Sequence, residues 1–133
     1  MIYSWLSQEG INGIVGLAYP SMARSGFNPV FDNIIQEGKL SRNVFSFYFE
    51  RSEEEGSHLM LGGVDKSLIE GDITFFPVVA KRFWAIEASA ILVDGKDVGL
   101  CKGGCRLLVD SGTSLITAPD EEFDILMGKH LLR

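Results

Sequence analysis

The residues best suited to chemistry lie between positions 106 and 117. After Arg106, an apolar run over 107–109 ends in Asp110, which is followed by Ser111, Gly112, Thr113 and Ser114. Apolar runs bounded by a glycine turn are typical of core strands, so this pattern predicts a buried strand that delivers Asp110 into a tight loop. A buried aspartate stays ionised only when donors surround it, and the loop offers backbone N–H groups and three hydroxyls. The loop is therefore predicted to tune the pKa of one acid.

Two other interpretations of the same loop need to be weighed. Asp-Ser-Gly is also a common surface turn, because Asp and Ser bond their own backbone and Gly supplies positive φ. Ser111 as a serine nucleophile is disfavoured, because no Gly-x-Ser-x-Gly elbow surrounds it. Neither His58 nor His130 has an obvious acid that would orient it as the base.

The flanks of Asp110 resemble the active-site loop of pepsin-like aspartic proteases, the family of pepsin and cathepsin D. In that loop two hydrophobic residues precede Asp-Ser/Thr-Gly-Thr/Ser, and further apolar residues follow. Other segments match the family in its own order: Gly-Ile-Val-Gly-Leu-Ala-Tyr-Pro at 13–20, Asn-Pro-Val-Phe at 28–31, Leu-Gly-Gly-Val-Asp at 61–65 and the pair Cys101 and Cys105. The resemblance covers nearly the whole chain. Its one departure near the start is Asn12, where the family usually has Asp.

This resemblance implies a mostly β chain with short helices, forming part of the bilobal pepsin-like acid protease fold. Residues 1–76 would be the C-terminal half of the N-terminal lobe, and residues 77–133 the N-terminal half of the C-terminal lobe. The first Asp-Thr-Gly loop and the flap would lie upstream of Met1, and a second hydrophobic-Gly element downstream of Arg133. We therefore expect the chain to be an internal fragment that needs the missing lobe segments for a complete site.

The resemblance also implies an endopeptidase in which two aspartates share a proton, pepsin being the usual example of such a pair. Asp110 would be the catalytic carboxylate of the second lobe, acting on peptide or protein substrates without a cofactor or metal. Ser111, Gly112 and Thr113 would orient it. Substrate contacts would come from Ile11 and Ile14 before the cleaved bond, Leu108 after it, and Thr113 and Ser114 along the substrate backbone.

Three alternatives to a complete enzyme follow from the presence of a single motif. Two copies of the chain could each supply one aspartate, but only 23 residues follow Asp110 and most read as helix. The chain could instead be a non-catalytic peptide-binding module, or an inactive truncated homologue of the same fold. We expect the isolated chain to be inactive, since general acid–base catalysis needs both partners positioned together.

The cysteines enclose only Lys102, Gly103 and Gly104, and the two glycines make so small a loop feasible as a disulfide. A zinc site is the competing interpretation, but structural zinc needs four convergent ligands, and His58 and His130 are isolated. The pair Cys101 and Cys105 also matches the family's short loop before the second motif. A disulfide there implies an oxidising compartment, either extracellular or in the secretory pathway and its lysosome-like or vacuole-like ends.

Composition excludes several other classes of function. The chain has 133 residues, 46% of them hydrophobic, which predicts a packed core. Its net charge of -6 and scattered basic residues argue against nucleic-acid binding. No apolar run approaches the length of a membrane span, and the first residues lack the features of a signal peptide.

Patterning of apolar residues predicts the elements that position the site. Strands are expected at 11–20, 44–49, 58–61, 71–79, 83–86 and 90–93, with an acidic hairpin tip at 53–55 and a tight hairpin turn at Asp94–Gly95. A helix capped by Asn28 should span the segment up to Gly38. A second should open at 118–122 and bury Phe123, Leu126, Met127 and Leu131.

Overall fold

The computed structural model describes residues 12–51 and 56–127 of the chain. The backbone forms two compact units, Met1–Phe75 and Phe76–Arg133, which are described separately below. Each unit contains short antiparallel strands and one short helix in its described part. The prediction of a mostly β chain with short helices is confirmed.

In the first unit, a helix packs on a hairpin. Helix α1 (Val30–Gln36) buries Phe31, whose ring meets that of Phe45 edge-on at a centroid distance of 5.0 Å. Phe45 begins strand β1 (Phe45–Tyr48), which pairs antiparallel with β2 (His58–Leu61). Alternation of aromatic and polar residues along 44–49 thus produced the predicted strand, since period-two patterning suits a half-buried sheet.

Several predictions for this unit and for the first residues of the next are wrong. Residues 12–19 and 71–79 form no strand: the first segment runs into a single 3-10 turn, Pro20–Met22, and the second is irregular. A strand needs a continuous ladder of bonds to a neighbour, and these two described segments form no such ladder, although the Val79 N–H donates one bond to the Ala85 carbonyl at 2.9 Å. Helix α1 is capped by Pro29 rather than Asn28, without a side-chain bond. The acidic segment 53–55 lies outside the described residues.

In the second unit, a three-stranded antiparallel sheet has the order β3, β4, β7. Its strands are β3 (Ala80–Lys81), β4 (Trp84–Ala88) and β7 (Cys105–Leu108). The hairpin of β5 (Leu92–Val93) and β6 (Lys96–Asp97) lies between them in sequence. Its turn has positive φ at Asp94 (50°) and Gly95 (75°), which confirms the predicted tight hairpin.

The core of this unit is small. Val98, Leu100 and Leu126 are buried and pack with the half-buried residues Ile91, Val93 and Ile125. Leu126 comes from helix α2 (Asp120–Leu126), which begins after Pro119 and has three acids in its first turn. Acids there suit the positive end of the helix dipole. Phe123 is 39% exposed rather than buried, and Leu131 and His130 lie outside the described residues.

The strand before Asp110 is not buried, contrary to the prediction. Leu108 and Val109 are 58% and 63% exposed. The physical reason is position, because β7 is the edge strand of its sheet and pairs with β4 alone among the described strands. An apolar run predicts a strand correctly, but its burial depends on what the rest of the fold lays against it.

Candidate active site

Strand β4 fixes where Asp110 lies. Its residues Ala85 to Ala88 pair with β7, and Ala85 stands opposite Leu108. One further bond continues the ladder, because the Val109 N–H donates to the Trp84 carbonyl at 2.9 Å. The sheet therefore holds the backbone up to the residue immediately before Asp110.

Beyond the sheet the chain makes a compact turn that grips the Asp110 side chain. The Gly112 N–H donates to Oδ1 at 2.9 Å, and the Thr113 hydroxyl donates to Oδ2 at 2.6 Å. A longer backbone bond, from the Thr113 N–H to the Asp110 carbonyl at 3.3 Å, closes the turn. Both carboxylate oxygens are thus held, so the plane of the group is fixed by its own loop.

The two donors also set the charge state of the group. The Thr113 hydroxyl, and after it the Gly112 N–H, hold the pKa of Asp110 below its usual value, while desolvation opposes them. Asp110 is exposed, so the expectation of a buried acid is wrong. The carboxylate is ionised because donors stabilise its charged form, and it remains open to a ligand.

Gly112 is suited to its place by size. A Cβ built on it would lie 3.2 Å from Asp110 Oδ1, closer than side chains normally tolerate. A larger residue would press on the oxygen that the Gly112 N–H binds. The close approach of backbone to carboxylate therefore favours glycine at this position.

The plain surface-turn interpretation has support elsewhere in the chain. Asp65 and Asp97 also accept the N–H of the residue two positions on, from Ser67 at 2.9 Å and Gly99 at 2.7 Å. The Ser67 hydroxyl bonds the same Oδ1 of Asp65, at 2.6 Å. Asp110 differs because its second donor binds the other oxygen. That difference orients the carboxylate, whereas the first bond alone makes only a turn.

The remaining predicted site residues are more dispersed. Ser111 and Ser114 are exposed, and neither hydroxyl is bonded to Asp110. Leu108 projects from β7 and is largely exposed. Ile14 is 75% exposed in the first unit, while Ile11 lies outside the described residues. The structure thus brings together Asp110, Gly112 and Thr113.

Cys101 and Cys105 form a disulfide with Cα atoms 4.9 Å apart, and Cys105 opens β7. Within the described ranges, no three His, Cys, Asp or Glu side chains gather as metal ligands would. A groove of about 470 Å³ lies beside this loop rather than beside Asp110. Its lining comes from Glu87, Ala88, Ser89, Gly103, Gly104, Cys105 and Arg106.

Sequence reasoning missed the part played by β4. The strand was predicted from its apolar residues, but the group that anchors Val109 is the Trp84 carbonyl, and no side-chain pattern marks a backbone acceptor. The pairing of β4 with β7 joins residues about twenty positions apart. Only knowledge of that register could have identified Trp84 and Ala85 as neighbours of the site.

Comparison with known proteins matches residues 3–130 to the family described as eukaryotic aspartyl protease. Pepsin A from Sus scrofa is 42% identical over 116 residues, which cover 87% of this chain and 30% of that protein. Cathepsin D from Chionodraco hamatus is 44% identical over 117 residues, covering 86% of this chain and 29% of that protein. Pepsin F from Oryctolagus cuniculus is 45% identical over 108 residues, or 81% and 28%. The chain therefore spans less than a third of the length of these relatives.

Proposed function

Because this chain belongs to the eukaryotic aspartyl protease family, we propose that it forms part of an aspartic endopeptidase in which Asp110 is one of two catalytic carboxylates. The observation that carries the proposal is the hold on both Asp110 oxygens, by Gly112 and Thr113. A turn that orients a carboxylate and keeps it exposed and ionised is what activation of a water molecule requires.

The chemistry needs a second carboxylate beside the first. Asp110 accepts a proton from water as the water attacks the scissile carbonyl, and the partner aspartic acid protonates the carbonyl oxygen. Two carboxyl groups a few ångströms apart do not both ionise, because their like charges would repel, so the pair shares one proton and works at acidic pH. In the assembled site the two groups titrate as a pair, with the Thr113 and Gly112 bonds favouring charge on Asp110.

The proposed substrate is an extended peptide with apolar residues on both sides of the cleaved bond. Leu108 is exposed two residues before Asp110 and would meet the residue after that bond. Ile11 and Ile14 would meet the residue before it. Thr113 and Ser114 would contact the peptide backbone, with the exposed Ser114 hydroxyl as a donor.

We further propose that the 133-residue chain alone does not cleave peptides. Its sequence contains one Asp-Ser/Thr-Gly motif, and the shared proton requires two carboxylates. The disulfide supports an oxidising compartment, in the secretory pathway, a lysosome-like organelle or outside the cell. Residues 1–76 and 77–133 would be the adjoining halves of two lobes.

The test is cleavage of an apolar peptide at acidic pH by a full-length protein that contains this chain and a second motif. We expect activity that a statine-type transition-state analogue blocks and that Asp110→Asn abolishes, since the amide cannot accept the proton. Asp97→Asn is the matched control, because Asp97 makes the same turn bond away from the site. Cleavage that persists in Asp110→Asn would contradict the proposed role of Asp110 and favour a peptide-binding, non-catalytic role for this chain within the longer protein. Inhibitor-sensitive cleavage by the 133-residue chain alone would contradict its expected inactivity.

A further inference from the structure

We propose that Ala85, in the centre of β4, is a positioning residue for Asp110, an inference that rests on the proposed function. Ala85 is 1% exposed. It stands opposite Ala80 on β3 and Leu108 on β7, so the three side chains form one row across the same face of the sheet. Small residues at two of the three positions leave room for Leu108 beside them.

A change in this row can move Asp110 because β7, the strand that leads to Asp110, is held on one side only within the described part of the chain. β7 is an edge strand bonded to β4 alone among the described strands, whereas β4 is bonded on both sides. A larger side chain at Ala85 has almost no exposed space to enter, so it should press on its two neighbours in the row, Ala80 on β3 and Leu108 on β7. Leu108 is the larger of the two. The edge strands β3 and β7 give way more readily than the centre, and on the β7 side the Val109 N–H bond to the Trp84 carbonyl lies next to the point of displacement.

Displacing β7 should shift the Asp110 turn without opening it. The bonds from Gly112 and Thr113 to the carboxylate span only residues 110–113, and β4 takes no part in them. Ala85 therefore controls the place of the carboxylate, and Thr113 controls its ionisation. A shift in the position of the carboxylate with no rise in the pKa of Asp110 therefore distinguishes a positioning role from a general loss of structure.

The first test is amide hydrogen exchange on the 133-residue chain carrying Ala85→Val or the milder Ala85→Ser. We expect exchange at Val109 to rise roughly fivefold or more in Ala85→Val, the equivalent of a modest overpacking penalty. The Val98 amide should keep its protection. It donates to the Ile91 carbonyl at 3.1 Å in the same unit but outside this sheet.

The matched control is Glu87→Val, which places the same β-branched residue at an exposed position on the same strand and face, where it adds no volume. It should leave Val109 unchanged. If Ala85→Val exposes Val98 as well, the unit has unfolded and Ala85→Ser decides: Val109 must lose protection while Val98 keeps it. Unchanged exchange at Val109 in a folded Ala85→Val chain would overturn the inference.

The second test uses cleavage by the full-length protein. Ala85→Val should lower kcat at least severalfold, while the pKa of Asp110, followed by NMR on the 133-residue chain, stays below its usual value. A raised Asp110 pKa, or unchanged kcat, would overturn the positioning role. Failure of the proposed function is distinguishable, because the parent protein would then show no cleavage whatever the exchange at Val109.

Discussion

Leu126→Ala should destabilise the second unit by about 2.4 kcal/mol. The substitution removes three carbons from a buried side chain, and each buried methylene is worth about 0.8 kcal/mol. The value falls near the lower end of measured Leu→Ala changes because the core is small and its outer members Ile91, Val93 and Ile125 are half-buried. Those residues can settle into part of the space that is left.

The assay is urea unfolding followed by the fluorescence of Trp84 in β4, with Trp5→Phe in every protein so that one indole reports. With an m-value of about 1 kcal/mol/M, the midpoint should fall by roughly 2.4 M. Leu115→Ala is the matched control. It is the same chemical change at a side chain that is 78% exposed, and it should cost about 0.5 kcal/mol. Equal shifts for the two variants would refute the assignment of Leu126 to the core.

Two further predictions concern the loops that precede and follow β7. Thr113→Ala should raise the pKa of Asp110 toward its usual value and Thr113→Ser should not, because the hydroxyl is the main cause of the lowered pKa. A lowered folded-state pKa gives stability that is present above the unfolded value of about 4 and is lost as pH falls through the folded value. The free energy of unfolding of Thr113→Ala should therefore decrease less as the pH is lowered than that of the parent chain. NMR titration of the carboxyl carbons measures the pKa of Asp110 in both variants, with Asp65 as the unaffected reference. An unchanged pKa of Asp110 in Thr113→Ala would contradict the role of the hydroxyl. Cys101 and Cys105 should resist alkylation in unreduced protein, and reduction should cost about 2 kcal/mol for so small a ring. Mass spectrometry that finds two alkylated thiols before reduction would contradict the disulfide.

Local patterns in the sequence predicted local structure well. The hairpin turn at Asp94–Gly95, strand β2 and the start of helix α2 depend on residues a few positions apart, and all three are found. Turn chemistry and helix-end signals act within one or two turns of chain, so one sequence contains the information they need.

Some predictions that depended on distant partners were wrong. The described segments 12–19 and 71–79 have strand-like composition but form no strand. The run before Asp110 has the composition of a buried strand but lies at a sheet edge, with Val109 63% exposed. Apolar composition states what a segment can bury. Whether anything covers it is decided by the rest of the fold.

The site combines both kinds of information. Ionisation of Asp110 is a property of four consecutive residues, since both donors to its oxygens lie within the turn. Asp65 has a lowered pKa for the same local reason, through Ser67, so ionisation alone does not single out Asp110. Asp110 is distinguished by the hydrogen bond from the Thr113 hydroxyl to its second oxygen and by the β4–β7 ladder of backbone bonds that ends at Val109. The first can be read from the Thr113 hydroxyl in the sequence. The second requires the register of β4 against β7, which is why substitutions at Ala85 and Thr113 should separate the place of the carboxylate from its charge.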